Sequence, residues 1–167
     1  KELVINRSKA KHTTPLAYTE TITIDLSEKG TANSYIVSEA GAYSFDASVI
    51  GNGSAGIIPF GGFHTTDPTI EPTAVKLVWE DTPGLITGLS KKSKNKRISF
   101  ATSPEEGNAL IAAMDSDSTI LWSWHIWCTD TPAEHTYYKS DGQSIVVHDR
   151  NLGATRADRG NGDEWKE

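Results

Sequence analysis

The chain of 167 residues contains a single cysteine, Cys128, so an intrachain disulfide is excluded. No stretch approaches the roughly 20 apolar residues that a membrane-spanning helix requires. An excess of basic residues is also missing, because 16 Lys and Arg stand against 22 Asp and Glu and give a formal net charge of -6. Nucleic-acid binding depends on neutralising phosphates with cations, so this balance argues against a nucleic-acid partner.

Helical periodicity is scarce as well. Residues 104–114 could form a helix, but Gly107 and Asn108 in its middle disfavour one. Short segments rich in strand formers instead alternate with turn residues; they are 21–26, 33–38, 42–49, 74–79, 96–101, 108–113, 119–128 and 144–148. This pattern predicts an all-β fold, a two-sheet antiparallel β-sandwich of the Ig-like or fimbrillin-like kind. We expect at least six strands and less than about one-tenth helix.

The strand pattern also predicts the domain organisation. Residues 1–18 are interpreted as a polar arm or linker, 19–155 as the sandwich, and 156–167 as a polar tail that starts a further segment. We predict that at least one terminal segment is disordered in isolation or ordered by another chain. Two long connections, 50–73 and 129–143, interrupt the strands, and long loops often carry function. Whether loop 50–73 is ordered stays open.

The most informative segment is Ile120–Cys128, which holds three of the five tryptophans. In a strand, successive side chains point to opposite faces. One face of this segment is wholly apolar and predicts a structural role for Trp122 and Trp124; the other, with His125 and Trp127, is mixed. Residues predicted to be mostly buried are Trp122, Trp124, Ile126, Ile36, Phe45, Val78 and Phe100. An alternative interpretation makes Trp127, Tyr137 and Tyr138 a platform on which sugar rings stack.

The ionisable residues do not form a recognisable catalytic or metal site. His125 and Cys128 have opposite parity on the predicted strand, so they cannot share a metal ion. Turn chemistry alone explains Asp115 and Asp117. No nucleophile elbow is present, and Cys128 lies on the apolar face, where a thiol is usually inert. We therefore expect no catalytic residues, no metal and no cofactor, and hence no enzyme.

A charged pair, Asp149 and Arg150, directly follows the last predicted strand. Bidentate pairs between Arg and a carboxylate commonly fix local geometry. The pair is therefore predicted to have a structural role at a corner of the fold.

Six short motifs, each present once, follow one another along the chain. They are Thr31–Val37, Gly41–Phe45, Val49–Gly53, Gly107–Ala109, Ile120–Trp127 and Asp149–Ala154. Together they resemble the fimbrillin-like and related surface proteins of gut Bacteroidetes, in many of which an Asp-Arg-Asn-Leu-Gly-Ala box opens the Fibrobacter major paralogous domain. The resemblance implies export, usually as a lipoprotein, and a role in surface adhesion or pilus assembly. Because such proteins typically continue past this box, we expect that the chain is a fragment or that the remainder is a separate piece.

The expected function is accordingly that of a non-catalytic cell-surface or fimbrial, adhesin-type structural module of a secreted bacterial protein. Assembly by strand addition would suit such a module, since an unpaired edge is a template for another strand. The alternative is a carbohydrate-binding module that uses the aromatic residues around Trp127–Tyr138. The expected partners are other protein subunits or surface glycans, in an oligomer or polymer, with any lipid anchor outside the given chain. The expected location is the cell surface, associated with the outer membrane, or the extracellular space. The ligand and the oligomeric state stay open.

Overall fold

The computed structural model of the chain describes residues 22–54, 56–57, 64–92 and 95–157. Within those ranges the backbone forms strands and no helix. The strands are β1 (Thr23–Asp25), β2 (Ser34–Val37), β3 (Gly41–Asp46), β4 (Gly56–Ile57), β5 (His64–Thr65), β6 (Ala74–Glu80), β7 (Ile86–Lys92), β8 (Arg97–Thr102), β9 (Gly107–Met114), β10 (Ile120–Cys128), β11 (Glu134–Tyr138) and β12 (Ser144–His148).

Two four-stranded sheets form the sandwich, in the orders β1-β3-β8-β7 and β2-β10-β9-β6. Two smaller pairs, β4-β5 and β11-β12, stand apart from them. The predicted all-β sandwich is therefore confirmed. The strand order is that of immunoglobulin-like sandwiches, in which strands A, B, E and D form one sheet and strands G, F and C lie in the other.

Both sheets depart from the expected antiparallel pairing at one edge. Strand β1 runs parallel to β3, and β2 runs parallel to β10. The chain passes from β2 to β3 through residues 38–40 and so crosses from one sheet to the other. Because of this crossing, β2 and β3 do not pair with each other as a hairpin, and β2 takes the edge position beside the last strand of the sandwich.

Aromatic side chains fill the space between the sheets. The ring of Phe45 lies at its centre, with centroid distances of 5.1 Å to Trp124 and 5.2 Å to Tyr35. Phe100 packs edge-on against Phe45. Trp124, Ile126, Phe45 and Phe100 are buried as predicted, whereas Trp122 is half-buried and packs against this cluster. The core therefore depends on one large residue from each of several strands.

Two predicted core residues lie on the surface instead. Ile36 is 40% exposed because its neighbours Tyr35 and Val37 take the inward positions of β2. Val78 is 41% exposed because a bulge between Leu77 and Trp79 shifts the register of β6 against β9. The two errors have different causes: the sequence of a four-residue strand does not determine which parity faces the core, and a bulge shifts the parity along β6.

The structure also places strands where the sequence predicted connections. Strand β11 lies within the predicted 129–143 connection. The segment in which a helix was considered contains strand β9 (Gly107–Met114), as its strand-forming residues 108–113 predicted. The predictions for residues 1–18 and for most of the tail, 158–167, lie outside the described residues. In the described part of the chain, no helix is long and apolar enough to cross a membrane.

The central position of Trp124 leads to a stability prediction. Replacement of Trp124 by Ala should lower the free energy of unfolding by about 3–5 kcal/mol, because a large cavity would remain beside Phe45. The matched control is Val78→Ala on the exposed side of β6, which should change it by less than about 0.5 kcal/mol. Urea denaturation followed by circular dichroism would measure both values. Equal losses in the two variants would contradict the assigned core.

Candidate functional site

Strand β10 carries a tryptophan on each of its faces. Trp124 points into the core, whereas Trp127 has the opposite parity and lies on the outer face of the sheet. Trp127 is nevertheless only 1% exposed. Its neighbours in register are Asn108 on β9 and Ile36 on β2. The indole nitrogen of Trp127 is buried and has no hydrogen-bond partner in the described part of the chain.

Residues 149–155, which we call the strap, cross this outer face. The carbonyl oxygen of Gly153 accepts a hydrogen bond of 3.0 Å from Nδ2 of Asn108, the residue opposite Trp127. Gly153 has a φ of +88°, and a Cβ added there would lie 3.2 Å from Oδ1 of Asn108. Glycine therefore permits both the left-handed backbone and the close approach of the strap to the sheet.

A single guanidinium fixes the beginning of the strap. Arg150 donates from Nε and Nη2 to both carboxylate oxygens of Asp149, at 2.8 and 3.1 Å. Its Nη1 donates to Thr129 Oγ1 at 3.1 Å, to the carbonyl of Thr155 at 3.0 Å and to Asp130. The Arg150 side chain is only 6% exposed. The ion pair expected from the sequence is therefore present, and it joins both ends of the strap to the end of β10.

These contacts also set the charge state of the pair. Hydrogen bonds from Arg150 hold the pKa of Asp149 below its usual range. The carboxylates of Asp149 and Asp130 in turn raise the pKa of Arg150. The clamp therefore stays charged at every pH at which the protein would normally be studied, and its contacts are charge-assisted hydrogen bonds.

Between β10 and the strap, strands β11 and β12 form a projecting two-stranded ribbon, which we call the ribbon (residues 134–148). Its five residue pairs run in an unbroken antiparallel register, from Glu134 opposite His148 to Tyr138 opposite Ser144. The amide of Asp149 donates to the carbonyl of Ala133 at its base. Because Arg150 contacts residues on both sides of the ribbon, the clamp holds the two ends of the ribbon together.

The ribbon exposes apolar side chains on both faces. Tyr137, Ile145 and Val147 share one face, whereas Tyr138 and Val146 share the other. Tyr138 is 80% exposed and Tyr137 is 58% exposed. Among the described residues, β11 and β12 pair only with each other, and exposed apolar faces are uncommon on such an element, so the ribbon is a candidate contact surface.

A row of hydrogen bonds runs across the outer face, beside the strap. The hydroxyl of Ser34 lies 2.9 Å from Nδ1 of His125, and Nε2 of His125 lies 2.9 Å from Oδ1 of Asn108. Nδ2 of Asn108 also donates to Oδ2 of Asp81 at 2.8 Å. Since Nδ2 of Asn108 is occupied as a donor twice, its Oδ1 must accept from His125, and the neutral imidazole carries its proton on Nε2.

The order serine, histidine, asparagine in this row resembles a nucleophilic triad, but its surroundings are those of a structural network. Burial lowers the pKa of His125, opposed by the carboxylate of Asp81. The row lies on the outer face of the sheet, and Gly153 of the strap packs against its His125 and Asn108. Sequence reasoning missed it because the four residues are far apart in the chain, and only the registers of four strands bring them together.

A cleft of about 140 Å³ lies at one end of the sandwich, lined in part by Glu39, Glu105, Glu106 and Asp130. Cys128 also lines it, and burial raises the pKa of this thiol to about 11, so the thiol is protonated at neutral pH. Among the described residues, no group of three or more His, Cys, Asp or Glu side chains is arranged to hold a metal ion.

The residues predicted to stack on sugar rings do not come together. Tyr137 and Tyr138 are exposed on opposite faces of the ribbon, whereas Trp127 is buried on the sandwich. A platform that includes Trp127 is therefore not present on the surface. The sequence pattern did not reveal the burial of Trp127, because parity places this residue on the mixed, outer face of the strand.

No family model, no curated protein and no solved structure matches this chain. The resemblance to fimbrillin-like surface proteins therefore stays a prediction from the motifs.

The clamp can be tested by replacing Arg150 with Met, which keeps much of the aliphatic side chain but removes every donor. We expect amide protection at Asp149 and throughout the ribbon to fall about tenfold or more, a scale set by one hydrogen bond to a charged group. Arg150→Lys should restore only part of it, because one ammonium cannot reproduce the bidentate contact. Hydrogen exchange measured by NMR would report the change.

The control is Lys139→Met at the ribbon tip, where the ammonium contacts only the side chain of Gln143 at 3.3 Å in the described structure. This variant should leave the protection at Asp149 unchanged. A similar loss in both variants would mean that Arg150 does not act as the clamp.

Proposed function

We propose that this chain is a non-catalytic β-sandwich module that binds other protein subunits, as a structural or adhesive component of a bacterial cell surface. The observation that carries the proposal is the ribbon. A two-stranded ribbon is marginally stable in water by itself, and this one leaves apolar side chains exposed on both faces. Such an element is completed when a partner covers or extends it.

The backbone of the ribbon supports strand pairing as the mode of contact. The bonds from Asp149 to Ala133 and from Lys139 to Gln143 show that odd-numbered residues of β11 direct their backbone groups toward β12. Glu134, Thr136 and Tyr138 therefore direct their backbone N–H and C=O groups to the open edge. The register there is regular and contains no bulge. An incoming strand would find an uninterrupted template.

The long edges of the sandwich are less suited to this role. Strand β6 has a bulge between Leu77 and Trp79, and β7 has one between Thr87 and Ser90. Bulges at sheet edges discourage pairing with another chain. The edge strands β1 and β2 are only three and four residues long. The comparison of edges therefore favours the ribbon as the contact element.

The surface location, export and a lipid anchor outside the given chain remain part of the proposal, and they rest on the resemblance to fimbrillin-like proteins. That resemblance includes the box at Asp149–Ala154, and the structure gives these residues a definite role in holding the ribbon to the sandwich. A surface subunit that transmits load through a projecting element would need such an attachment.

A second candidate function is carbohydrate binding through the ribbon alone. The observation that favours it is the exposure of Tyr138, whose ring face is free to stack on the apolar face of a pyranose. Tyr137 would contribute from the opposite face. This alternative no longer includes Trp127.

The assembly proposal predicts that the chain self-associates, or associates with its native subunit partner, through the ribbon. Tyr137→Ser combined with Ile145→Thr removes apolar surface from one face while retaining residues that tolerate a strand. Sedimentation velocity over a wide concentration range should show concentration-dependent association in the wild type and a monomer in the double variant. The control, Val78→Thr on the bulged edge β6, should associate as the wild type does.

Two results would count against subunit assembly. Association that is unchanged in the double variant would exclude the ribbon as the contact element. A wild type that stays monomeric yet binds a glycan array, with binding lost in Tyr138→Ala, would favour the carbohydrate-binding alternative.

A further inference from the structure

The strap is attached to the sandwich at two points with an exposed stretch between them. The Arg150 clamp holds its first residues and the carbonyl of Thr155, and the Gly153 carbonyl is bound by Asn108. Leu152, between these points, is 69% exposed. Within the strap itself, the amide of Ala154 donates to the carbonyl of Asn151. The exposed stretch of the strap, Asn151 and Leu152, has few contacts with the sandwich, and such stretches open locally before the core unfolds.

A titratable side chain lies beneath the strap. The imidazole of His125 lies next to Gly153, since a Cβ added to that glycine would be 4.0 Å from its Cε1. Opening of the strap would hydrate this imidazole.

We propose that the strap is a pH-sensitive cover, closed over His125 on the outer face of the sheet at neutral pH and opened more often when His125 gains a proton. This inference does not depend on the function proposed for the ribbon. It rests on the geometry that places one titratable side chain next to Gly153 of the strap.

The groups around His125 determine the direction of the effect. Ser34 faces it from β2 and Asn108 from β9, and neither is charged. Asp81, after β6, is the carboxylate whose charge acts on it, through Asn108, and it favours the protonated form. The strap contributes Gly153, and the charges of Asp149 and Arg150 are paired with each other. Burial opposes the protonated form more strongly than Asp81 favours it, so the pKa of His125 is lowered.

A lowered pKa in the closed state means that the open state binds the proton more tightly. Above the ordinary histidine value of about 6.5 both states are neutral, and pH has no effect on the strap. As the pH falls below that value, the open state is favoured. At pH 5 the shift in the opening equilibrium can reach about 30-fold, the limit in which the closed state takes up no proton.

The test is hydrogen exchange by NMR on the full chain at pH 7.5 and pH 5.0, with each rate divided by its intrinsic rate at that pH. Protection of the strap amides should fall at the lower pH, by at most about 30-fold. Protection at Ile111 and Ala113 in the core should stay constant. His125→Gln cannot titrate and should remove the pH dependence, whereas His148→Gln on the exposed ribbon should retain it.

A strap whose protection is the same at both pH values, or changes equally in His125→Gln, would overturn the proposal. If His125→Gln does not fold, the titration of His125 itself decides. Its pKa in the wild type should lie below 6.5, and Arg150→Lys, which loosens the strap, should move it toward that value. A wild-type pKa at or above 6.5, or one that Arg150→Lys leaves in place, would also overturn it.

Discussion

The structure depends on the burial of the tryptophan side chains on both faces of β10. Trp124 on one face is buried by the opposite sheet, where Phe45 and Tyr35 meet it. Trp127 on the other face is buried as well, and Asn108, opposite it in register, binds the strap at the carbonyl of Gly153. Burial of a large aromatic side chain is worth several kcal/mol, so both tryptophans contribute strongly to the stability of the fold. The clamp at Arg150 then determines where the ribbon emerges.

Much of the fold could be predicted from period-two alternation alone. The segments around Phe45, Phe100 and Trp124 alternate clearly, and their strands and inward faces were predicted correctly. The errors at Ile36 and Val78 have a different origin, because a bulge or a four-residue edge strand leaves parity undetermined by local sequence. Strand β11 was missed because the long 129–143 connection was read as one loop.

The contacts on the outer face could not be predicted from the sequence, because they join residues that are far apart in the chain. Ser34 and His125 are 91 positions apart, and only the parallel pairing of β2 with β10 brings them together. The role of Asn108 depends on the return of Gly153, another contact between distant residues. Asp149 and Arg150 were identified because their charges are adjacent in the chain. The sequence pattern thus predicted the ion pair between adjacent residues. The hydrogen-bonded row across the outer face could be identified only once the registers of four strands were known.

The parallel pairing of β2 with β10 also has a consequence for how the chain folds. Strand β2 is made early, but its partner is the last strand of the sandwich, so most of the domain must be synthesised before β2 can be paired. Contacts of such large sequence separation slow folding, since the loop-closure entropy must be overcome before any bond forms. Until then Tyr35 and Val37 have no core to enter, and the nascent chain exposes apolar surface that a holding chaperone would recognise.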